Sequence, residues 1–397
     1  MSPHKMNYPE ITLKKGKEIS IKRKHHWIFS GAVEKKPLDL EEGNLVKVLD
    51  NKRQVLGIGF YSPGSIMVRM ITFSDREISE DFWVEKISTA YKLRKEIFSS
   101  RNKKTNAYRL VHGEGDRMPG LIIDNYDGNL VIQGHHPGII KELDNISTAL
   151  KRVLGKELKS IYNKSSSAMH GNTDQADGWV FGESPDNRIV ENDFQFEINM
   201  EKGQKTGFFL DQRDNRSLLQ AYCLGKVVLN TFCYSGGFSV YAMGAGASRV
   251  TSVDISSEAI ALCQRNLEIN GFDPINNPSI TADVIKYLQT IDDSYEVIIL
   301  DPPAFAKNRR SRHNAVQAYK RLNALALKKI KPGGILFTFS CSQVIDRDLF
   351  HHTVTAAALE SGRNTQILHQ VSQGADHPVN VFHQETSYLK GLVLYVD

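Results

Sequence analysis

The chain has 397 residues, 41% hydrophobic and 24% charged, with a net charge of +5 and four cysteines. This is the composition of a folded globular protein and excludes disorder as the main state. No run of about 18 apolar residues occurs, so no membrane-spanning helix is expected.

At roughly 100–200 residues per domain, the length predicts two to four domains. The first ten residues lack the apolar core of a secretory signal. Cys223, Cys233, Cys263 and Cys341 have neither zinc-knuckle nor redox-pair spacing, so no disulfide framework and no metal are expected, and the location is expected to be the reducing cytoplasm.

In chain order, residues 11–73 read as all-β. The runs Leu45–Leu49, Val55–Phe60 and Ile66–Ile71 are separated by turn chemistry at Glu42-Gly43, Asp50-Asn51 and Ser62-Pro-Gly64, which predicts a small barrel. Helical periodicity follows from Asp81 to Ser99. A second β-containing region runs from Tyr108 to about Met200, interrupted by one predicted helix near Ile139–Val153. From Leu218 strands and helices alternate. The predicted strands are Val227–Phe232, Arg249–Ile255, Ser279–Asp283, Tyr295–Asp301, Gly334–Ser340, Thr365–Val371 and Leu389–Val396. The class is therefore α/β, with domains at 1–75, 76–200 (central α+β) and 201–397. Alternation implies a mostly parallel sheet covered on both faces, which binds ligands beyond the carboxyl ends of its strands.

The charge is unevenly spread. Residues 1–36 carry nine Lys/Arg against three Glu, residues 85–109 eight against two, and residues 302–331 nine with no acid. Three separate basic stretches on a nearly balanced chain point to a polyanion such as nucleic acid. Taken singly, each would read as a solvated helix face.

The first strand of the alternating region runs into Asn230-Thr-Phe-Cys-Tyr-Ser-Gly-Gly237, whose paired glycines allow a tight turn close to a ligand. The second ends at Asp254, placed to accept from ribose hydroxyls; the neighbouring Ser256 or Ser257 is a helix cap in its own right. The third ends at Asp283, within reach of an adenine amino group, and the fourth at Asp301-Pro-Pro303. In this order they describe a nucleoside cofactor lying across the first three strands. A nicotinamide dinucleotide competes for the same place, but the turn lacks the third glycine of its fingerprint.

These residues resemble class I S-adenosylmethionine-dependent methyltransferases. More closely, the chain resembles the bacterial 23S rRNA large-subunit methyltransferase I family, which forms 5-methylcytosine. The resemblance rests on Lys205-Thr-Gly-Phe-Phe-Leu-Asp-Gln-Arg-Asp-Asn-Arg216, Phe232-Cys-Tyr-Ser-Gly-Gly-Phe238, Ser252-Val-Asp254, Asp301-Pro-Pro303, Pro332-Gly-Gly334, Ser340-Cys-Ser342, Ala375-Asp-His-Pro378 and Tyr388-Leu-Lys-Gly391. His26-Trp-Ile-Phe-Ser-Gly31 and Glu114-Gly-Asp116 extend it over nearly the whole chain. It implies a Rossmann-like C-terminal sheet, an N-terminal PUA-like RNA-binding domain, and S-adenosylmethionine held by Lys205, Gln212, Arg213, Phe232, Tyr234, Ser235, Gly236, Asp254, Asp283, Asp301 and Pro302. Individual roles for Lys205, Gln212 and Arg213 stay open between the methionine carboxylate, a phosphate, and a surface ion pair with Asp211 or Asp214.

Carbon 5 of cytosine is a poor nucleophile until a thiolate adds at carbon 6. Such chemistry needs a cysteine at a strand end and an acid for charge building on ring nitrogen 3. Cys341 and Asp301 fit those roles. Cys233, in the cofactor turn, is the rival thiol, and Cys223 and Cys263 read as core. An amine methyltransferase would use a similar Asp-Pro-Pro turn without a thiol. A non-catalytic RNA-binding or ribosome-assembly factor and a nicotinamide oxidoreductase are also compatible with the residues. Lys307, Arg309, Arg310 and Arg312 are placed to grip phosphates, and His377 to line the target pocket. The expected partner is 23S rRNA or a large-subunit precursor, not a membrane; the sequence leaves the oligomeric state open, a homodimer included.

Overall fold

The structure is a computed structural model that describes residues 8–99, 104–166, 168–169, 177–183, 187–292, 294–306 and 308–397. The chain divides into two compact units: Met1–Asn187 with Asn199–Gly207 and Ala375–Thr386, and Arg188–Ile198 with Phe208–Gly374 and Ser387–Asp397. Three short segments, Arg188–Ile198, Asn199–Gly207 and Ala375–Thr386, thus belong to the unit that does not flank them in sequence.

The first unit holds two sheets. Six strands join in the order Trp27–Phe29, Ile66–Thr72, Val55–Tyr61, Leu45–Leu49, Glu10–Leu13 and Val33–Lys35. Alternation buries Ile11, Leu13, Val46, Val48, Val68 and Met70 on one side. A second sheet of five strands follows the helix Glu80–Ser99. That helix sets Phe82, Trp83 and Ile87 against Ile123, Ile132, Ile146 and Leu150. Two helices, Pro137–Lys141 and Leu143–Leu154, stand where one is predicted. The break falls at Glu142 (φ −94°, ψ 3°), whose carboxylate accepts the indole N–H of Trp83 at 2.8 Å.

The second unit is built on seven strands: β1 (Val227–Thr231), β2 (Arg249–Asp254), β3 (Ser279–Thr281), β4 (Val297–Leu300), β5 (Gly334–Ser340), β6 (Thr365–Ser372) and β7 (Lys390–Val396). Their order is β3-β2-β1-β4-β5-β7-β6; β7 runs antiparallel to β5 and β6 on either side of it, and the other neighbouring pairs are parallel. Central strands buried on both faces read as unbroken apolar runs, and all four residues of β4 are buried. The connecting helices are α1 (Gly237–Gly244), α2 (Ser257–Ile269), α3 (Val284–Thr290), α4 (Arg312–Lys329) and α5 (Arg347–Ser361).

The predicted strands match in place but not in every end. β3 stops at Thr281 rather than Asp283, because Asp283 leaves the ladder to cap α3, accepting the N–H of Lys286 at 2.9 Å. β1 stops at Thr231 because Phe232 turns into the left-handed region, at φ 54°. Among the described residues, no helix is long and apolar enough to cross a membrane.

Candidate active site at the carboxyl ends of the strands

The loop between β1 and α1 carries three successive demands on its backbone. Phe232, Tyr234 and Gly236 have φ of 54°, 45° and 76°. Two of them are not glycine, and such strain collects where a loop is shaped for a ligand. Gly236 has no substitute: a Cβ there would sit 2.5 Å from Sγ of Cys263. Asp254, at the end of β2, holds the loop from the side. One carboxylate oxygen accepts the N–H of Tyr234 and the other the N–H of Ser256, each at 3.0 Å. Ser256 caps α2 by accepting from Ala259, so cap and strand-end acid are two different side chains. Asn266 of α2 donates to the carbonyl of Ser235 at 2.8 Å.

The stretch before β1 packs beside this loop. The rings of Phe209 and Tyr234 meet edge to face at 5.1 Å. Arg213 is fully buried and faces Glu191 at 3.4 Å, while Arg216 forks onto the same carboxylate at 2.9 and 2.8 Å. Tyr241 of α1 adds its hydroxyl at 3.0 Å. Of the roles left open for Arg213, the structure shows an ion pair with Glu191, and that pair is buried rather than on the surface. Removing one member of such a pair costs about 3–5 kcal/mol, so Glu191 fixes this stretch. Sequence reasoning misses it because it lies on a hairpin over twenty residues upstream. Gln212 is also buried, accepting from Asn215 at 2.6 Å. Lys205 is exposed, at φ 50°, and belongs to the first unit.

β4 and β5 are parallel neighbours, with Leu300 opposite Thr338. Their next residues emerge on the same rim. The thiol of Cys341 lies 4.0 Å from the carbonyl oxygen of Pro302, directly after the half-buried Asp301. Pro302 itself is buried. Tyr319 of α4 shares a hydrogen bond with Ser342 at 3.0 Å and packs its ring on Phe305 at 4.6 Å.

The four thiols differ sharply. Cys341 alone is not buried. Burial pushes Cys223 up to about 12. Burial and the adjacent Cys263 push Cys233 well above the usual thiol value, whereas hydrogen bonding from Cys233 brings Cys263 down to about 7. Cys263 is nonetheless fully buried under Gly236 and closed to any substrate.

Arg309 and Arg310 are exposed on a short turn that Asn308 caps, and Arg312 reaches Asp346 at 3.5 Å. Lys307 lies outside the described residues. His377 belongs to the first unit and is closed from solvent, its ring 5.1 Å from that of His112 and its Nδ1 3.2 Å from Asp376. The first unit also brings the donor atoms of His25, His383 and Glu385 within 4.8 Å. The two imidazole rings have centroids 4.4 Å apart and planes inclined by 33°.

The donor set suits a nucleoside sulfonium. Each Asp254 oxygen uses one acceptor position on the loop, and a carboxylate offers about four, which leaves acceptors for a ribose diol. The glycine turn leaves no Cβ between backbone and ligand.

Residues 108–387 match the family model described as S-adenosylmethionine-dependent methyltransferase, and residues 11–73 match a PUA-like domain. The chain is 39% identical over 399 residues to the ribosomal RNA large subunit methyltransferase I of Photobacterium profundum, covering 97% of this chain and 99% of the relative. Among solved structures, a candidate SAM-dependent methyltransferase from Streptococcus mutans superposes with a TM-score of 0.83 at 23% identity, over 97% of this chain and 99% of its own. A candidate methyltransferase crystallised with SAH superposes equally well, with a TM-score of 0.83 at 23% identity and the same coverage of 97% and 99%.

Proposed function

Since the chain belongs to the S-adenosylmethionine-dependent methyltransferases, in the ribosomal RNA large subunit methyltransferase I family, we propose that it methylates carbon 5 of a cytidine in 23S rRNA through a covalent bond to Cys341. The observation that carries this reading is the one unburied cysteine standing 4.0 Å from the Asp301-Pro-Pro turn on an adjacent strand.

The cofactor, when bound, supplies a methyl group on a sulfonium centre. Gly236 and the backbone of 232–235 cradle it, Asp254 accepts from its ribose, and Asp283 keeps its second carboxylate oxygen for the adenine amine while the first caps α3. Gln212 and Arg213 serve by bracing the neighbouring stretch, and Lys205 by its exposed charge. Cys341 adds its sulfur to carbon 6 of the ring, and the electron pair of the 5,6 double bond moves toward carbon 5. Asp301, as the protonated acid, donates its proton to ring nitrogen 3 as negative charge builds there, and takes it back when the ring is restored. After methylation the proton on carbon 5 leaves to a base, the double bond re-forms and the sulfur departs with its electron pair. The base must be unpaired or flipped to reach a strand-end pocket. Lys307, Arg309, Arg310 and Arg312, following Asp301, bind flanking phosphates, and the PUA-like domain adds RNA contacts. His377, being buried, acts on RNA only through its neighbours.

Phe305 weighs against methylation of an exocyclic amine. It stands one residue late for stacking in that arrangement, and its ring packs on Tyr319. The test is nucleoside mass analysis of large-subunit rRNA treated with the purified protein and cofactor. One new 5-methylcytidine is expected; a methylated exocyclic amine in its place overturns the proposal.

A further inference from the structure

Lys390, in the Tyr388-Leu-Lys-Gly391 string, has no part in the chemistry above. It opens β7 and stands opposite Ser340 in the antiparallel register, one residue short of Cys341. The side chain is 6% exposed. Its Nζ donates to the carbonyls of Ser342 and Ile345, at 2.7 and 2.5 Å. Both carbonyls belong to the turn that leaves β5 directly after Cys341.

An ammonium withdrawn from water into a sheet is costly unless dipoles and an opposite charge answer it. Two carbonyl dipoles are present. The charged groups acting on it are Cys341 and Asp346, which favour its protonated form, and Arg347, which opposes it. Burial brings Lys390 down to about 8, which still leaves it mostly cationic at neutral pH. On the thiol side, Tyr319 of α4 lies within electrostatic reach of Cys341, and the carbonyl of Pro302, the residue after Asp301, stands 4.0 Å from the sulfur.

We propose that Lys390 is the positioning residue of the nucleophile: it clamps the turn that carries Cys341 and supplies the positive charge that favours the thiolate. This rests on reading Cys341 as the nucleophile. Attraction between two groups acts equally on both, so a thiolate that favours the ammonium is favoured by it.

The test is alkylation of Cys341 by iodoacetamide in the full-length protein between pH 6 and 10, followed by peptide mass. The variants are Lys390→Met, Lys390→Gln and Lys390→Arg, with folding checked by circular dichroism. Gln keeps a donor for a carbonyl but removes the charge. In Met and Gln, alkylation at pH 7 is expected to slow about tenfold, with its pH midpoint raised; Arg is expected to stay within about threefold of the parent. A folded Met or Gln variant with the parent's pH profile overturns the proposal, and Gln carries the test if Met does not fold. Alkylation needs no turnover. A Cys341 that responds to Lys390 yet proves dispensable for methylation would therefore sink the nucleophile reading, and with it the catalytic role of the clamp, while the effect of Lys390 on the thiol stood.

Discussion

The carboxylate of Asp254 accepts the backbone N–H of Tyr234 at 3.0 Å, tying the end of β2 to the loop after β1. Its other oxygen accepts from Ser256. In Asp254→Asn one oxygen becomes an NH2 that faces an N–H, and a donor left unpaired costs about 1–3 kcal/mol. Affinity for S-adenosylmethionine, measured by calorimetric titration, is expected to fall about 10–100-fold. Unchanged affinity would remove Asp254 from the pocket.

Gly236→Ala meets two obstacles. The residue sits at φ 76°, and the new methyl would lie 2.5 Å from Sγ of Cys263. Cofactor affinity is expected to drop about tenfold or more. In a Cys263→Ala background part of the loss should return, because the contact is relieved and the backbone strain is not.

The exposed pair Arg309 and Arg310 bears on RNA binding. Each phosphate neutralised on a single strand contributes about 0.7 to the slope of log affinity against log salt. Arg309→Ala/Arg310→Ala is expected to make that slope shallower by about 1.4. A slope equal to the parent's would mean that this turn does not grip the backbone.

His26 predicts acid sensitivity in the first unit. It is 1% exposed, and its Nδ1 lies 2.6 Å from the carbonyl of Met70. Burial holds it down to about 4; Lys86, His383 and His25 push the same way. The unfolded imidazole takes its proton near 6.5, so between pH 6.5 and 4 the unfolded chain binds more protons. Stability is therefore complete above 6.5 and falls by about 3 kcal/mol as pH drops to 4. His136, held at about 3 chiefly by burial, adds to the loss. Denaturation midpoints across that range should slope steeply in the parent and less so in His26→Gln.

What is legible in the sequence follows from locality. β4 and β5 stand out as apolar runs because both of their faces are buried, and Asp254 and Asp301 mark the ends of β2 and β4. Gly236 declares itself as a turn glycine. The cap at Asp283 is harder to see, since an acid after a strand serves ladder end and helix start alike. The partners of Arg213 and of the Cys341 turn are out of reach: Glu191 and Lys390 meet them only through tertiary packing, which no spacing encodes. Glu142 hides its helix break for the same reason, because the indole of Trp83 that binds it lies 59 residues away.

The most direct measurement uses RNA whose target cytidine carries fluorine at carbon 5. Fluorine cannot leave as a cation, so once the ring is methylated the sulfur cannot be expelled and the protein stays attached. The account predicts a denaturation-resistant RNA–protein adduct in the presence of S-adenosylmethionine, mapped by peptide mass to Sγ of Cys341 and absent from Cys341→Ala, which binds cofactor normally but does not turn over unmodified RNA. Methyl transfer by Cys341→Ala, or an adduct on any other residue, would contradict it.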